Sequence, residues 1–134
     1  MASIVPVAKA LFLCDSVAAS ADGKVDLFGV FATIRPSAGY PHVLSRINLF
    51  ARLSGGLGDV SVWVDIRKAA THELIRTTTP RRLTFPTRDV LVNYSFRLDQ
   101  FRFEEPGLYL AELYCNNEWV CDTKFHLLDW EGEP

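Results

Sequence analysis

The run VLSRINLFARLSGGLGDVSVWVDIR occupies residues 43–67. Its first part alternates: Val43, Ile47, Leu49, Ala51 and Leu53 share one parity, and Arg46, Asn48, Phe50 and Arg52 the other. A second alternation puts Val60, Val62, Val64 and Ile66 on one side and Ser61, Trp63, Asp65 and Arg67 on the other. A period of two over this length belongs to strands with one buried face. Between them lies Ser54-Gly55-Gly56-Leu57-Gly58-Asp59, where glycine supplies the positive φ of a tight connection. The expectation is a hairpin.

The same signature recurs outward from this stretch. Strands are expected over Ala8–Val17, Val25–Ile34, Glu73–Thr79, Val90–Leu98, Leu108–Cys115 and Trp119–Leu128, which makes eight in all. The turn Ala21-Asp22-Gly23-Lys24 joins the first two as a hairpin, and Pro36 to Pro41 is a loop. Pro80 to Asp89 reads as a connection, since Pro80 and Pro86 suit an edge or a loop. Phe101 and Phe103 change parity after Leu98, so a bulge or crossing is expected near Asp99-Gln100. A three-residue link, Asn116 to Glu118, puts Tyr109, Ala111, Leu113 and Cys115 on one face with Trp119, Cys121, Phe125 and Leu127. Cys115 and Cys121 are then diagonal neighbours about 7–8 Å apart, too far for easy bridging. No helical stripe, repeat or low-complexity segment is visible. The expected fold is all-β: one domain over residues 1–134, an antiparallel two-sheet sandwich of about eight strands, ending in a short acidic tail at 129–134.

The chain of 134 residues is 49% apolar and 22% charged, enough for a real core. Three cysteines, Cys14, Cys115 and Cys121, do not make a disulfide framework. Lys9 interrupts the apolar leader and Asp15 closes it, so residues 8–16 read as a strand and not a signal sequence. No stretch reaches membrane-helix length. Together these point to a cytoplasmic protein. Residues 1–98 carry 12 Lys/Arg against 7 Asp/Glu, and residues 99–134 carry 2 against 9. The two parts either neutralise each other within one sandwich or drive head-to-tail self-association that salt would weaken.

Several phrases taken together resemble a family of small bacterial proteins carried only as a domain of unknown function. They are Leu13-Cys14-Asp15, Asp22-Gly23-Lys24, Phe28-Gly29-Val30-Phe31, Ala51-Arg52-Leu53 with Gly55-Gly56, and Glu105-Pro106-Gly107-Leu108-Tyr109. The resemblance covers nearly the whole chain; it implies a bacterial β-sandwich and no activity. Pro106-Gly107-x-Tyr109 also resembles the turn and tyrosine that open a late strand of immunoglobulin-like sandwiches, although Ala111 stands where an antibody-type domain has cysteine.

Chemistry is mostly argued away. His42, His72 and His126 are far apart in sequence, and a zinc site wants four ligands. No metal or cofactor is expected. Neighbouring side chains of Cys14-Asp15-Ser16 point to opposite faces, so no nucleophile–base pair forms there. Glu104-Glu105 and Glu131/Glu133 read as solvated turn and tail charges. Gly55-Gly56-Leu57-Gly58 lacks the Lys-Ser/Thr ending of a phosphate loop. Arg76, Arg81, Arg82 and Arg88 are flanked by acids, and the net charge of −2 argues against nucleic acid.

One constellation is left. In the expected hairpin Leu53 faces Val60, which sets Phe50 opposite Trp63 on an outer face. Asn48 then faces Asp65, Arg52 faces Ser61, and Arg46 lies near Arg67. Aromatic rings rimmed by Arg, Asn and Asp suit a contact surface. The expectation is a non-catalytic protein-interaction module whose partner is another protein or a second copy in a homodimer. The alternative is a carbohydrate- or small-ligand-binding module with Trp63 and Phe50 as platform and Asn48 with Asp65 as its polar pair.

Overall fold

A computed structural model describes residues 2–130. Every regular element is a strand: β1 (Val7–Cys14), β2 (Ser16–Ala19), β3 (Val25–Phe28), β4 (Thr33–Ile34), β5 (His42–Ser54), β6 (Gly58–Lys68), β7 (Leu74–Thr77), β8 (Arg81–Phe85), β9 (Val92–Phe103), β10 (Gly107–Cys115) and β11 (Glu118–Leu127). One sheet has the order β1-β5-β9; the larger has β4-β11-β10-β6-β7, with β8 also paired to β6. β2 and β3 form a separate hairpin. A single buried cluster draws on both sheets, so the all-β sandwich expected from the sequence is the observed architecture.

The stretch at 43–67 holds the main correction. β5 and β6 are not a hairpin. β5 pairs with β1 and β9, whereas β6 pairs with β10, β7 and β8. The Gly-rich link is an arch that carries the chain from one sheet to the other. Ile47, Leu49, Ala51 and Leu53 therefore meet Val60, Val62, Val64 and Ile66 across the core and not side by side. Alternation fixes which face is buried but says nothing about which strand lies alongside. Two details hold the arch. Leu57 exchanges backbone hydrogen bonds with Ile4 (2.8 and 3.1 Å). Gly56 lies so close to the buried Phe85 ring that a Cβ would stand 2.9 Å from it.

The first two expected strands are each broken. β1 gives way to β2 at Asp15, and β3 to β4 around Gly29. Asp15 N–H donates to the Phe28 and Gly29 carbonyls (2.9 and 3.2 Å), so two phrases of the family resemblance meet here. Gly29 has φ +65°, and a Cβ there would run into the Asp15 carboxylate. Gly29→Ala is expected to lower stability by about 1–2 kcal/mol, from the left-handed backbone and displacement of Asp15. Urea denaturation measures it, and an unchanged midpoint would refute it.

The parity change in β9 lies at Asp99-Gln100 as expected, with φ +50° at Gln100. It is not a one-sided bulge. β5 changes parity opposite, at Ser45-Arg46, and the pairing from His42↔Phe103 to Leu53↔Val92 keeps one register. At the other end the expected three-residue link is a two-residue turn. Asn116 and Asn117 both have positive φ (51° and 67°), and Cys115 pairs with Glu118, the conformation favoured in tight hairpins. A register shift beyond Trp119 then restores Leu113↔Cys121 and Tyr109↔Phe125, the pairs the longer link would have made. Pro80 to Asp89 is also more than a connection. It contains β8, an edge strand whose Phe85 enters the core, with Pro80 and Pro86 just outside it.

Tyr109 donates its hydroxyl to the Glu105 carbonyl (2.7 Å), and Ala111 beyond it is fully buried. The basic and acidic parts of the chain are joined by Arg67–Glu112 (2.8 Å), Lys68–Glu105 (2.5 Å) and Arg46–Asp99 (3.7 Å). Glu131 and Glu133, in the acidic tail, lie outside the described residues.

Candidate binding face

The arch separates the residues that the sequence put together. Phe50, Asn48 and Arg52 belong to β5, and Trp63 and Asp65 to β6 in the other sheet, so they make no common patch. Phe50 lies between Phe12 and Ser95 and is only 5% exposed. Asn48 is buried and donates Nδ2–H to the Asp15 carbonyl (2.8 Å). Arg52 donates Nε–H to Asn93 Oδ1 (2.9 Å).

Trp63 acquires different company. On the outer face of the large sheet it pairs with Tyr114, which pairs in turn with Trp119. The Trp63 and Tyr114 rings are stacked, with centroids 5.7 Å apart and planes 10° from parallel. Such a pair contributes about 0.5–1.5 kcal/mol beyond its burial. Trp119 is 56% exposed. The expectation that it faces the core fails because the two-residue turn puts it opposite Tyr114. Val120 and Cys121 pack toward the core instead. Beside the row is a concavity of about 710 Å³ lined by Ser61, Trp63, Thr77, Thr78, Pro80, Asn116 and Asn117. It opens where β7 stops and β8 has not begun.

A polar cluster adjoins the rings. Asp65 and Glu112 are cross-strand partners, only 8% and 7% exposed. Arg67 Nε–H donates to Glu112 Oε1 (2.8 Å), and its terminal nitrogen to Asp65 Oδ2 (3.3 Å). Thr77 donates to Asp65 Oδ1 (2.6 Å) and Tyr114 to Glu112 Oε1 (3.3 Å). Burial and the neighbouring Glu112 push the Tyr114 phenol up. Both carboxylates are thus tied to donors, an arrangement that fixes the face.

The other candidate chemistries are dispersed. Arg76 donates to the Asp99 carbonyl (2.7 Å) and lies over the Phe101 ring. Arg82 pairs with Asp59, and Arg88 donates to the Gly55 carbonyl. Burial pushes the Cys115 and Cys121 thiols up to about 11, with smaller contributions from Glu118 and Asp122 respectively. Burial, then Asp15, raises Cys14. Thiols held protonated in this way are poor nucleophiles. Among the described residues no three His, Cys, Asp or Glu side chains are grouped to hold a metal ion. Tyr114 and Trp119 went unrecognised in the sequence. Their signal was Asn116-Asn117, two residues that both tolerate positive φ.

Strand order, the tyrosine–carbonyl bond at the start of β10 and the parallel β4–β11 pair define an immunoglobulin-like sandwich domain. Within that class the chain belongs to the family of unknown function DUF6941, whose profile matches residues 9–128. No curated protein matches it in sequence. Among solved structures it is similar to part of the Pseudomonas fluorescens alkylpurine DNA glycosylase AlkC bound to DNA containing an abasic site analogue. That match has 16% identity and a TM-score of 0.49 over 87% of this chain and 30% of that one. It is also similar to part of a β-glucosidase from Listeria innocua (11% identity, TM-score 0.49, 92% of this chain and 16% of that one). The chain therefore spans less than a third of either protein.

Proposed function

We propose that this domain is a non-catalytic protein-interaction module and that it binds through the outer face of its large sheet. One observation carries the reading: Trp63, Tyr114 and Trp119 form a single row across three strands, and the outermost ring is mostly in solvent. Large, rigid aromatic side chains are the residues that most often anchor interfaces. Beside them the Asp65–Arg67–Glu112 cluster holds the sheet surface in one arrangement.

Free cysteines at 14, 115 and 121 support a reducing, cytoplasmic setting, and the family resemblance supports a bacterial one. No helix among the described residues is long and apolar enough to cross a membrane. Trp119→Ala tests the face without disturbing the core. Wild-type bait in a bacterial lysate is expected to retain a partner that the Trp119→Ala bait loses. Identical captures from both would refute the assignment.

A second reading, a carbohydrate module, is favoured by the hydroxyls and amides around the Trp63 concavity. Neutral sugars that shift tryptophan fluorescence in the wild type, and no captured protein, would favour it over the first.

A further inference from the structure

The outer face of the large sheet is organised in successive cross-strand rows. Next to the aromatic row, two residues along β6 and β10 and three along β11, where the register shift lies, runs an acidic one: Asp65 pairs with Glu112, and Glu112 with Asp122. The two rows are about 7 Å apart, twice the rise per residue. Like charges directly opposite each other oppose folding. Arg67 answers Asp65 and Glu112. Asp122 is exposed and has no ion-pair partner among the described residues. The next row holds Arg67, Leu110 and Lys124. Trp119, the most exposed of the three rings, thus has one unanswered carboxylate, Asp122, beside it on the outer face.

We infer that this face takes an arginine-bearing peptide segment of a partner protein, a deduction that rests on the interaction reading above. A guanidinium is planar and weakly hydrated. It can lie on the Trp119 or Tyr114 ring while its fork meets a carboxylate such as Asp122. An ammonium makes the charge contact but gains less from the ring. An acidic segment is repelled. The aromatic row gives affinity, and the unanswered Asp122 carboxylate chooses the sign of the partner's charge.

The test is calorimetric titration with an octapeptide of alternating Arg and Ser, beside its Lys and Glu analogues. The Arg peptide is expected to bind, the Lys analogue several-fold more weakly and the Glu analogue not at all. Trp119→Ala is expected to weaken the Arg peptide about 30-fold, the loss of one interface anchor. Asp122→Asn is expected to weaken it about 3-fold, the loss of one exposed charge contact. Absence of binding, equal binding of the Arg and Lys peptides, or binding untouched by Trp119→Ala overturns the inference. The two readings fail separately. A captured protein that Trp119→Ala loses, but that the Arg peptide cannot displace, overturns the arginine assignment and leaves the interaction face standing. A salt-sensitive dimer lost in Trp119→Ala, and not displaced by the peptide, gives the face to a second copy and also overturns it.

Discussion

Phe103→Ala is expected to destabilise the domain by about 4 kcal/mol. Phe103 is fully buried at the end of β9. Its ring stacks on Phe101 at 4.2 Å and meets Tyr109 and Phe125 edge-on at 5.1 and 6.0 Å. Tyr109 in turn stacks on Phe125 at 5.6 Å. Truncation therefore removes a central member of a four-ring cluster drawn from both sheets, and the remaining rings cannot close on the space without moving strands. Domains of this size have about 5–15 kcal/mol in total, so the loss takes a large part of the whole. The melting temperature should fall by more than about 10 °C. Phe103→Leu, which keeps most of the volume, should cost less than half as much. Urea denaturation with an unchanged slope checks both. A loss below about 1 kcal/mol for the alanine variant would mean that the cluster relaxes freely.

Arg67→Met is expected to cost about 2–3 kcal/mol, for a different reason. The two carboxylates it answers are nearly buried, while its own side chain is a quarter exposed. Removing one partner of a buried ion pair leaves an uncompensated charge, with a cost of about 3–5 kcal/mol when burial is complete. Solvent access to Arg67 lowers that figure. Thr77 and Tyr114 still donate to Asp65 and Glu112 in the variant, so the fold survives. Adding Glu112→Gln should recover more than half of the loss, because one of the stranded charges is gone. If the double variant is less stable than Arg67→Met alone, the carboxylates are not what Arg67 serves.

The sequence disclosed the layers of this molecule better than its neighbours. Alternation marked the buried faces of β6 and of β5 from Ile47 onward, because a period of two needs nothing but a sheet with one dry side; Val43, expected on that face, is exposed because β5 changes parity at Ser45-Arg46. It could not separate a hairpin from an arch. Both use a short glycine-rich link between alternating strands; only the partners differ, and β1 and β9 are distant in sequence. That one ambiguity moved Trp63 and Asp65 to a face they do not share with Phe50, Asn48 and Arg52. The second gap has a similar origin. A two-residue turn followed by a one-residue shift gives the same far register as a three-residue turn, so the inward residues Tyr109, Leu113 and Phe125 were placed correctly while Trp119 was put on the wrong side. β8 was hidden because its prolines flank a strand that has a partner on one side only.

The twin parity change of β5 and β9 carries a consequence for how this fold can diverge. Ser45-Arg46 and Asp99-Gln100 each add one residue, opposite each other, and so cancel. Removing a residue from one strand alone would turn Phe101 and Phe103, or Leu44, toward solvent and slide every pair beyond it. Removing one from each would leave both strands regular and all core residues facing inward. Insertions and deletions at these two distant places are therefore coupled, and in related chains the lengths of the two strands should change together or not at all.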